Sequence, residues 1–149
     1  MVIAKILEEI FKVPNREVKE ENVEHKKLEL NEKQVYESSI VFTFSLTVTV
    51  PPSSMILRSE NYREFDRRIK IRKISIYFPP GCQDLVKVLI GVGNSYITQN
   101  WIVSSDDKRL EITPYNTIVE QGTIVWAEVI NEDVEYPHKV DIDFEAQYI

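Results

Sequence analysis

The sequence predicts a mostly β protein, an antiparallel, jelly-roll-like β-sandwich of about eight strands with one short N-terminal amphipathic helix. Two observations carry this prediction. After residue 35, apolar and polar residues alternate in short runs that are separated by turn-forming residues. Only the first residues of the chain follow the period of a helix.

The helix is predicted over residues 1–14, because its apolar side chains fall on one face and Pro14 ends it. Residues 15–34 mix acidic and basic side chains without a period and predict a charged linker, so the sandwich domain is expected at 35–149. A helix this short is unstable alone in water, so its apolar face is expected to dock on the sandwich or on a neighbouring subunit. The apolar residues of that face are Ile3, Ile6, Leu7, Ile10 and Phe11.

The strongest predicted strand runs from Ile40 to Val50, where large apolar residues alternate with Ser and Thr. Residues 53–66 are predicted to form a polar loop. The next strand has apolar residues of one parity at Ile69 and Ile71 and of the other parity from Ile74 onward. Both sets can face inward only if the strand holds one extra residue, so we predict a β-bulge near Arg72 and Lys73.

Further strands are predicted at 85–92, 96–103, 110–113, 117–119, 123–130 and 139–148. Turn-forming residues separate most of them, which favours antiparallel neighbours. Eight strands are typical of a jelly roll and seven of an immunoglobulin-like sandwich.

The composition disfavours several classes of function. The 149-residue chain has a net charge of −6, which does not suit nucleic-acid phosphates. Its one cysteine, Cys82, permits no internal disulfide and favours a reducing, cytoplasmic location. No apolar run is long enough to span a membrane. With two histidines, His25 and His138, and four glycines, we expect no metal site, no phosphate loop, no cofactor and no enzyme activity.

Carboxylates are the one plentiful source of chemistry. Asp141, Asp143 and Glu145 share one face of the last strand, and Asp106 and Asp107 lie in a turn. Such groups could run a carboxylate-based hydrolysis or hold calcium. Alternating acids are also the ordinary wet side of an amphipathic strand, which is the interpretation favoured here.

Two predicted strands, 85–92 and 123–130, are apolar on both faces. A two-layer sandwich covers one face of each sheet, so the second face, which holds Leu89 or Trp126, is expected to need another cover. This surplus makes a self-associating structural or interaction subunit the leading hypothesis. The expected partner is a second copy of the chain or another protein.

The basic residues Arg68, Lys70 and Arg72 match the spacing of the acids Asp141, Asp143 and Glu145. We expect these two ladders to pair, either on adjacent strands or across a subunit interface.

Aromatic residues in or beside predicted loops suggest an alternative function, a carbohydrate- or small-ligand-binding module. Tyr96, Trp101 and Tyr115 could stack on sugar rings, and Tyr62 lies in a similar position.

Two turn motifs carry a family resemblance. Pro79-Pro80-Gly81-Cys82 precedes a hydrophobic strand, and Tyr136-Pro137-His138 opens the last strand. With these motifs the chain resembles small jelly-roll or β-sandwich proteins encoded by phages and archaeal proviruses, over about a third of its length. The resemblance implies an oligomeric, virion-associated or assembly role and carries over no catalytic residue.

Overall fold

The computed structural model describes residues 40–149, which form twelve strands and no helix in that part of the chain. No helix within those residues could therefore cross a membrane. The predicted helix at 1–14 and the predicted linker at 15–34 lie outside the described residues.

The strands are short at the sheet edges and long at the sheet centres. In chain order they are β1 (Val41–Ser45), β2 (Val48–Val50), β3 (Ser54–Ile56), β4 (Tyr62–Glu64), β5 (Ile69–Phe78), β6 (Val86–Val92), β7 (Ser95–Tyr96), β8 (Ile102–Val103), β9 (Lys108–Ile112), β10 (Thr117–Val119), β11 (Ile124–Asn131) and β12 (His138–Tyr148).

The strands form two six-stranded antiparallel sheets. In the first sheet, β12 and β5 are central, β1 and β2 lie along the outer edge of β12, and β9 and β10 lie along β5. In the second sheet, β11 and β6 are central, β3 and β4 lie along β11, and β7 and β8 lie along β6. Each sheet thus has four strand positions, and the twelve segments fill the eight positions of a jelly roll. The predicted fold class is confirmed.

The core lies between the inner faces of the two sheets. Ile74, Ile76 and Phe144 from the first sheet and Val88 and Val125 from the second are buried to 1% exposure or less. Their side chains come from alternate residues of each strand, as the pleat requires.

The predicted β-bulge is confirmed at Arg72. β12 pairs with β5 so that Glu145 lies opposite Lys73 while the next residue, Ala146, lies opposite Ile71. Arg72 is therefore the extra residue, and it is exposed. The bulge lets apolar residues of both parities face the core, as the sequence required.

Residues 53–66 are not the polar loop that we expected, because they contain the edge strands β3 and β4. These strands are three residues long and take their pairing from β11. The predicted strand from Ile40 to Val50 is divided into β1 and β2, and Ile40 is 37% exposed rather than inward. The predicted strand at 96–103 contributes only the short ends β7 and β8.

Candidate functional site

The outer faces of the two sheets differ in character. On the first sheet, β12 presents Asp141, Asp143 and Glu145 outward. Arg109 lies 3.8 Å from Asp143 and donates a hydrogen bond of 2.8 Å to Ser75. This face alternates regularly with the buried residues, as is typical of a solvated sheet.

The outer face of the second sheet carries large apolar side chains beside a few charged ones. Antiparallel partners point to the same side of a sheet, so two rows of outward side chains can be followed across the strands. One row runs from Met55 through Ile130 and Lys87 to Val103, and the other runs from Tyr62 through Trp126 and Gly91 to Tyr96. We call the exposed members of this surface the apolar face. It consists of Met55 (39% exposed), Tyr62 (50%), Tyr96 (56%) and Val103 (39%), together with Leu57 (47%), which follows β3 two positions after Met55.

Trp126 forms the base of this face and is fully buried. Its indole lies across Gly91, where a Cβ atom would collide with the ring. The indole Nε1 donates a hydrogen bond of 2.8 Å to the Gly93 carbonyl. The edge of Tyr96 meets the ring at a centroid distance of 5.7 Å. A glycine inside a strand often marks such a close approach.

Arg58 covers the indole. Its guanidinium carbon lies 3.8 Å from the ring centroid, and its Nη2 atom donates to Glu128 at 3.3 Å. The Arg58 backbone N–H donates to the same carboxylate at 3.2 Å. Hydrogen bonding to Tyr96 and then to Glu128 raises the pKa of Arg58. Glu128 is only 8% exposed, so these bonds satisfy a charge that would otherwise be costly to bury.

Arg58 and Glu128 were not among the residues predicted from the sequence. One signal was available, since an acidic residue at the centre of an apolar strand requires a partner. The partner itself lies 70 positions away in the chain and could not be assigned without the strand order.

Leu89 and Trp126, the predicted interaction residues, lie on the outer side of the second sheet as expected. They are 8% and 0% exposed, however, so they form the base of the surface rather than its contact area. The other predicted interaction residues, at 3–11, lie outside the described residues.

Two of the three aromatic residues predicted to stack on a ligand come together. Tyr96 and Tyr115 line one groove of about 430 Å³, between the β7 edge of the second sheet and the loop before β10. Tyr115 is 97% exposed. Trp101 is half-buried before β8 and does not line this groove.

A second groove, of about 670 Å³, lies on the other side of the same loop. Lys70 and Arg72 line it, together with Pro114, Tyr115 and Asn116. The bulge in β5 thus places two of the predicted basic residues at one groove.

The basic and acidic ladders lie on adjacent strands, but the register does not join them as predicted within one chain. Asp141 and Asp143 lie opposite Tyr77 and Ser75, and only Glu145 has a basic residue, Lys73, as its partner in the ladder. The bulge and the antiparallel direction shift the basic run toward the carboxyl end of β12. Arg68 instead forms an ion pair of 3.0 Å with Glu120. Pairing of the ladders between subunits stays a prediction.

Cys82 and His138 lie near one end of the sandwich. Burial raises the pKa of the Cys82 thiol to about 11, and Asp106 adds to the shift. His138 bonds Asp133 through Nε2 at 2.8 Å. Backbone donation from Glu135, followed by the bond with His138, lowers the pKa of Asp133. A protonated, buried thiol is a poor nucleophile.

Among residues 40–149, no group of three or more His, Cys, Asp or Glu side chains is arranged to hold a metal ion. Two of the three outward carboxylates of β12 have nearby donors. Asp143 accepts from Ser45, and Asp141 lies 3.8 Å from Lys139.

No protein-family model matches the sequence, and no curated protein matches it. Among solved structures, the chain is similar to the VP2 subviral particle of infectious bursal disease virus, with 9% identity over 73% of this chain and a TM-score of 0.46. The match covers 32% of the VP2 chain, so this chain spans about a third of its length.

The chain is also similar to the cyanophage Pam1 capsid asymmetric unit, with 10% identity, 75% of this chain and 87% of that chain covered, and a TM-score of 0.41. A third similar structure is the CBM36-1 domain of a multidomain xylanase from the hindgut metagenome of Trinervitermes trinervoides. It has 8% identity, covers 72% of this chain and 95% of that domain, and has a TM-score of 0.40. Capsid proteins of viruses are thus among the structures that this chain is similar to, and the similarity concerns the course of the chain.

Proposed function

We propose that this chain is a non-enzymatic structural subunit that self-associates through the apolar face of its second sheet. The observation that carries the proposal is the contrast between the two outer faces. One is a regular charged surface, whereas the other exposes Met55 on β3, Tyr62 on β4 and, two positions after Met55, Leu57. Large apolar side chains left exposed on one face of a sheet are typical of an interaction surface.

The occupant that we propose is a second copy of the chain. A two-fold interface brings the same patch onto itself, so the patch has to be self-complementary in charge. The two basic residues at this surface are already paired, Arg58 with Glu128 at 3.3 Å and Lys87 with Glu132 at 2.8 Å. Two such patches can therefore meet without opposing unpaired like charges.

The resemblance of the turn motifs to phage and proviral sandwich proteins supports an assembly role, with virion association as the corresponding location. Residues 1–14 are proposed to strengthen the assembly by docking their apolar side chains on a neighbouring subunit.

Sedimentation equilibrium of the full chain tests this proposal. We expect the wild-type protein to form dimers or larger assemblies at concentrations of about 10 μM. Met55→Lys and Leu57→Lys should shift it to monomer without changing its thermal melting, because both side chains are exposed. Thr43→Lys, an exposed position on the charged face, is the matched control and should assemble as the wild type does.

A wild-type monomer at about 100 μM would overturn the proposal, as would unchanged assembly of both apolar-face variants. Removal of residues 1–14 adds a second comparison. Assembly that is lost in the truncated chain but unaffected by Met55→Lys would place the interface away from the apolar face.

A second candidate function, a carbohydrate-binding module, is favoured by one observation. Tyr96 and Tyr115 are separated by 19 positions in the chain, yet they line the same groove. Exposed aromatic rings beside a groove of this size can stack on the apolar faces of sugar rings.

A further inference from the structure

We infer that the two grooves beside the 113–116 loop form one binding site for an acidic saccharide. Its sugar rings lie on Tyr96 and Tyr115, and its carboxylate or sulfate groups face Lys70 and Arg72. This inference deepens the second candidate function and rests on it.

The two grooves share part of their lining. Pro114, Tyr115 and Asn116 line both of them. Each groove has a volume in the range of about 300–1,000 Å³ that is usual for small-ligand sites. A ligand of several sugar units could therefore cross the loop and contact both sides of Tyr115.

The Tyr96 groove is uncharged. All nine of its lining residues are neutral, in a chain of which 28% is charged. Ser95, Asn116 and Thr117 supply donors and acceptors to this groove, and the two tyrosines supply aromatic surface. Apolar ring faces combined with hydroxyl groups are the chemistry of a saccharide, so the lining suits this part of the ligand.

The Lys70 groove is cationic. In the part of the chain that the structure describes, neither Lys70 nor Arg72 forms an ion pair, whereas the nearby Lys73 pairs with Glu111 at 3.0 Å. An anionic group is the partner that two adjacent cations recognise best.

The β-bulge explains how Arg72 reaches this groove. In the register with β12, Ile71 and Lys73 occupy consecutive positions, and Arg72 between them has no partner. As the extra residue of the bulge, Arg72 turns its side chain outward, where it lines the groove beside Lys70. Bulges commonly direct a side chain in this way beside functional sites.

Isothermal titration of the full chain with three hexasaccharides tests the inference. The probes are a hexagalacturonate for carboxylates, a heparin hexasaccharide for sulfates and cellohexaose for the neutral case. We expect at least one acidic probe to bind about tenfold or more tightly than cellohexaose, with an affinity that falls as salt rises. The two acidic probes distinguish carboxylate from sulfate recognition.

Variants assign the contacts. Lys70→Gln combined with Arg72→Gln should reduce binding of the acidic probe about tenfold and leave cellohexaose unaffected. Tyr115→Ala should weaken all saccharides that bind. Lys108→Gln combined with Lys139→Gln removes the same charge from exposed positions outside both grooves and should not change affinity.

The outcomes separate this inference from the function on which it rests. Equal binding of all three probes, unaffected by the Lys70 and Arg72 changes, would overturn the acidic specificity and leave the carbohydrate function standing. Binding of no saccharide would overturn both. Tighter binding of a hexaglutamate peptide than of any saccharide would make the site a peptide site and would also overturn the inference.

Discussion

Deletion of Arg72 is predicted to leave the fold intact. Without this residue, β5 reads Ile69, Lys70, Ile71, Lys73, Ile74, which alternates regularly between the core and the outer face. The existing register already places Lys73 opposite Glu145 and Ile71 opposite Ala146, so β12 needs no change. On the other side of β5, the loop at 113–116 lies between β9 and β10 and can absorb the shortening.

Deletion of Ser75 from the same strand is predicted to be severe. Ser75 also faces outward, but its loss puts Ile74 out of phase with Ile76. The least costly rearrangement turns Ile74 outward and Lys73 inward, and the bulge at Arg72 is absorbed. Ile74 is 0% exposed in the native chain.

The magnitudes follow from burial. Arg72 is exposed and interrupts the hydrogen-bond ladder between β5 and β12. Its removal should therefore change the free energy of unfolding by no more than about 1 kcal/mol in either direction. Exposing Ile74 costs about 1.5–3 kcal/mol. Burying the Lys73 ammonium adds to this loss, so the Ser75 deletion should cost at least about 3 kcal/mol.

Urea unfolding monitored by tryptophan fluorescence measures both values, because Trp126 is buried in the native chain. The Arg72 deletion should retain the wild-type slope, with a midpoint that corresponds to a change of no more than about 1 kcal/mol. A loss of about 3 kcal/mol or more in this variant would refute the assignment of Arg72 as the extra residue, as would a Ser75 deletion as stable as the wild type.

Three further outcomes are expected. Gly91→Ala should destabilise the protein by about 1–3 kcal/mol or more in urea unfolding, because the new Cβ meets the Trp126 indole. Gly122→Ala is the control. The nearest atom to its new Cβ is 3.9 Å away but its φ is positive, so it measures the cost of backbone strain alone. The pKa of Asp133 is lowered in the folded chain. The stability that Asp133 contributes is therefore fully present above the ordinary pKa of 3.8 and is lost as pH falls through the pKa of the folded state. Asp133→Asn should therefore flatten stability measured between pH 5 and pH 2, and an unchanged slope would contradict this. With the pKa of its thiol raised to about 11, Cys82 should resist a thiol reagent at pH 8 in the native chain and react fully in urea. Rapid native labelling would show that the site opens.

The central strands could be predicted because each is long enough to display its period. β5, β6, β11 and β12 have seven to eleven residues, and the phase change within β5 was visible as a conflict of parity. The edge strands could not be predicted in the same way. β3 and β4 have three residues and β7 has two, so they show too little alternation to differ from a loop. Their hydrogen bonds to β11 and β6 make them strands, and those bonds depend on the tertiary fold.

The site was predictable in kind but not in arrangement. The surplus of apolar residues in the second sheet was visible in the sequence, whereas the cover that Arg58 provides over Trp126 depends on which strands are neighbours. The exposed tyrosines were likewise identified as a set. That Tyr96 and Tyr115 share a groove, and that Trp101 does not, follows from the meeting of the β7 edge with the β10 edge.

The two proposed surfaces are joined through Tyr96. Its edge contacts Trp126 at the base of the apolar face, and it also lines the groove with Tyr115. A second copy seated on the apolar face would cover part of Tyr96, so assembly and saccharide binding have to influence each other. Because such coupling is reciprocal, any factor by which assembly changes saccharide affinity equals the factor by which the saccharide changes assembly. Lys70, Arg72 and Tyr115 are not part of the apolar face. Substitutions at these three residues therefore change the saccharide site without changing the self-association surface. Substitution of Met55 changes the self-association surface without changing the saccharide site.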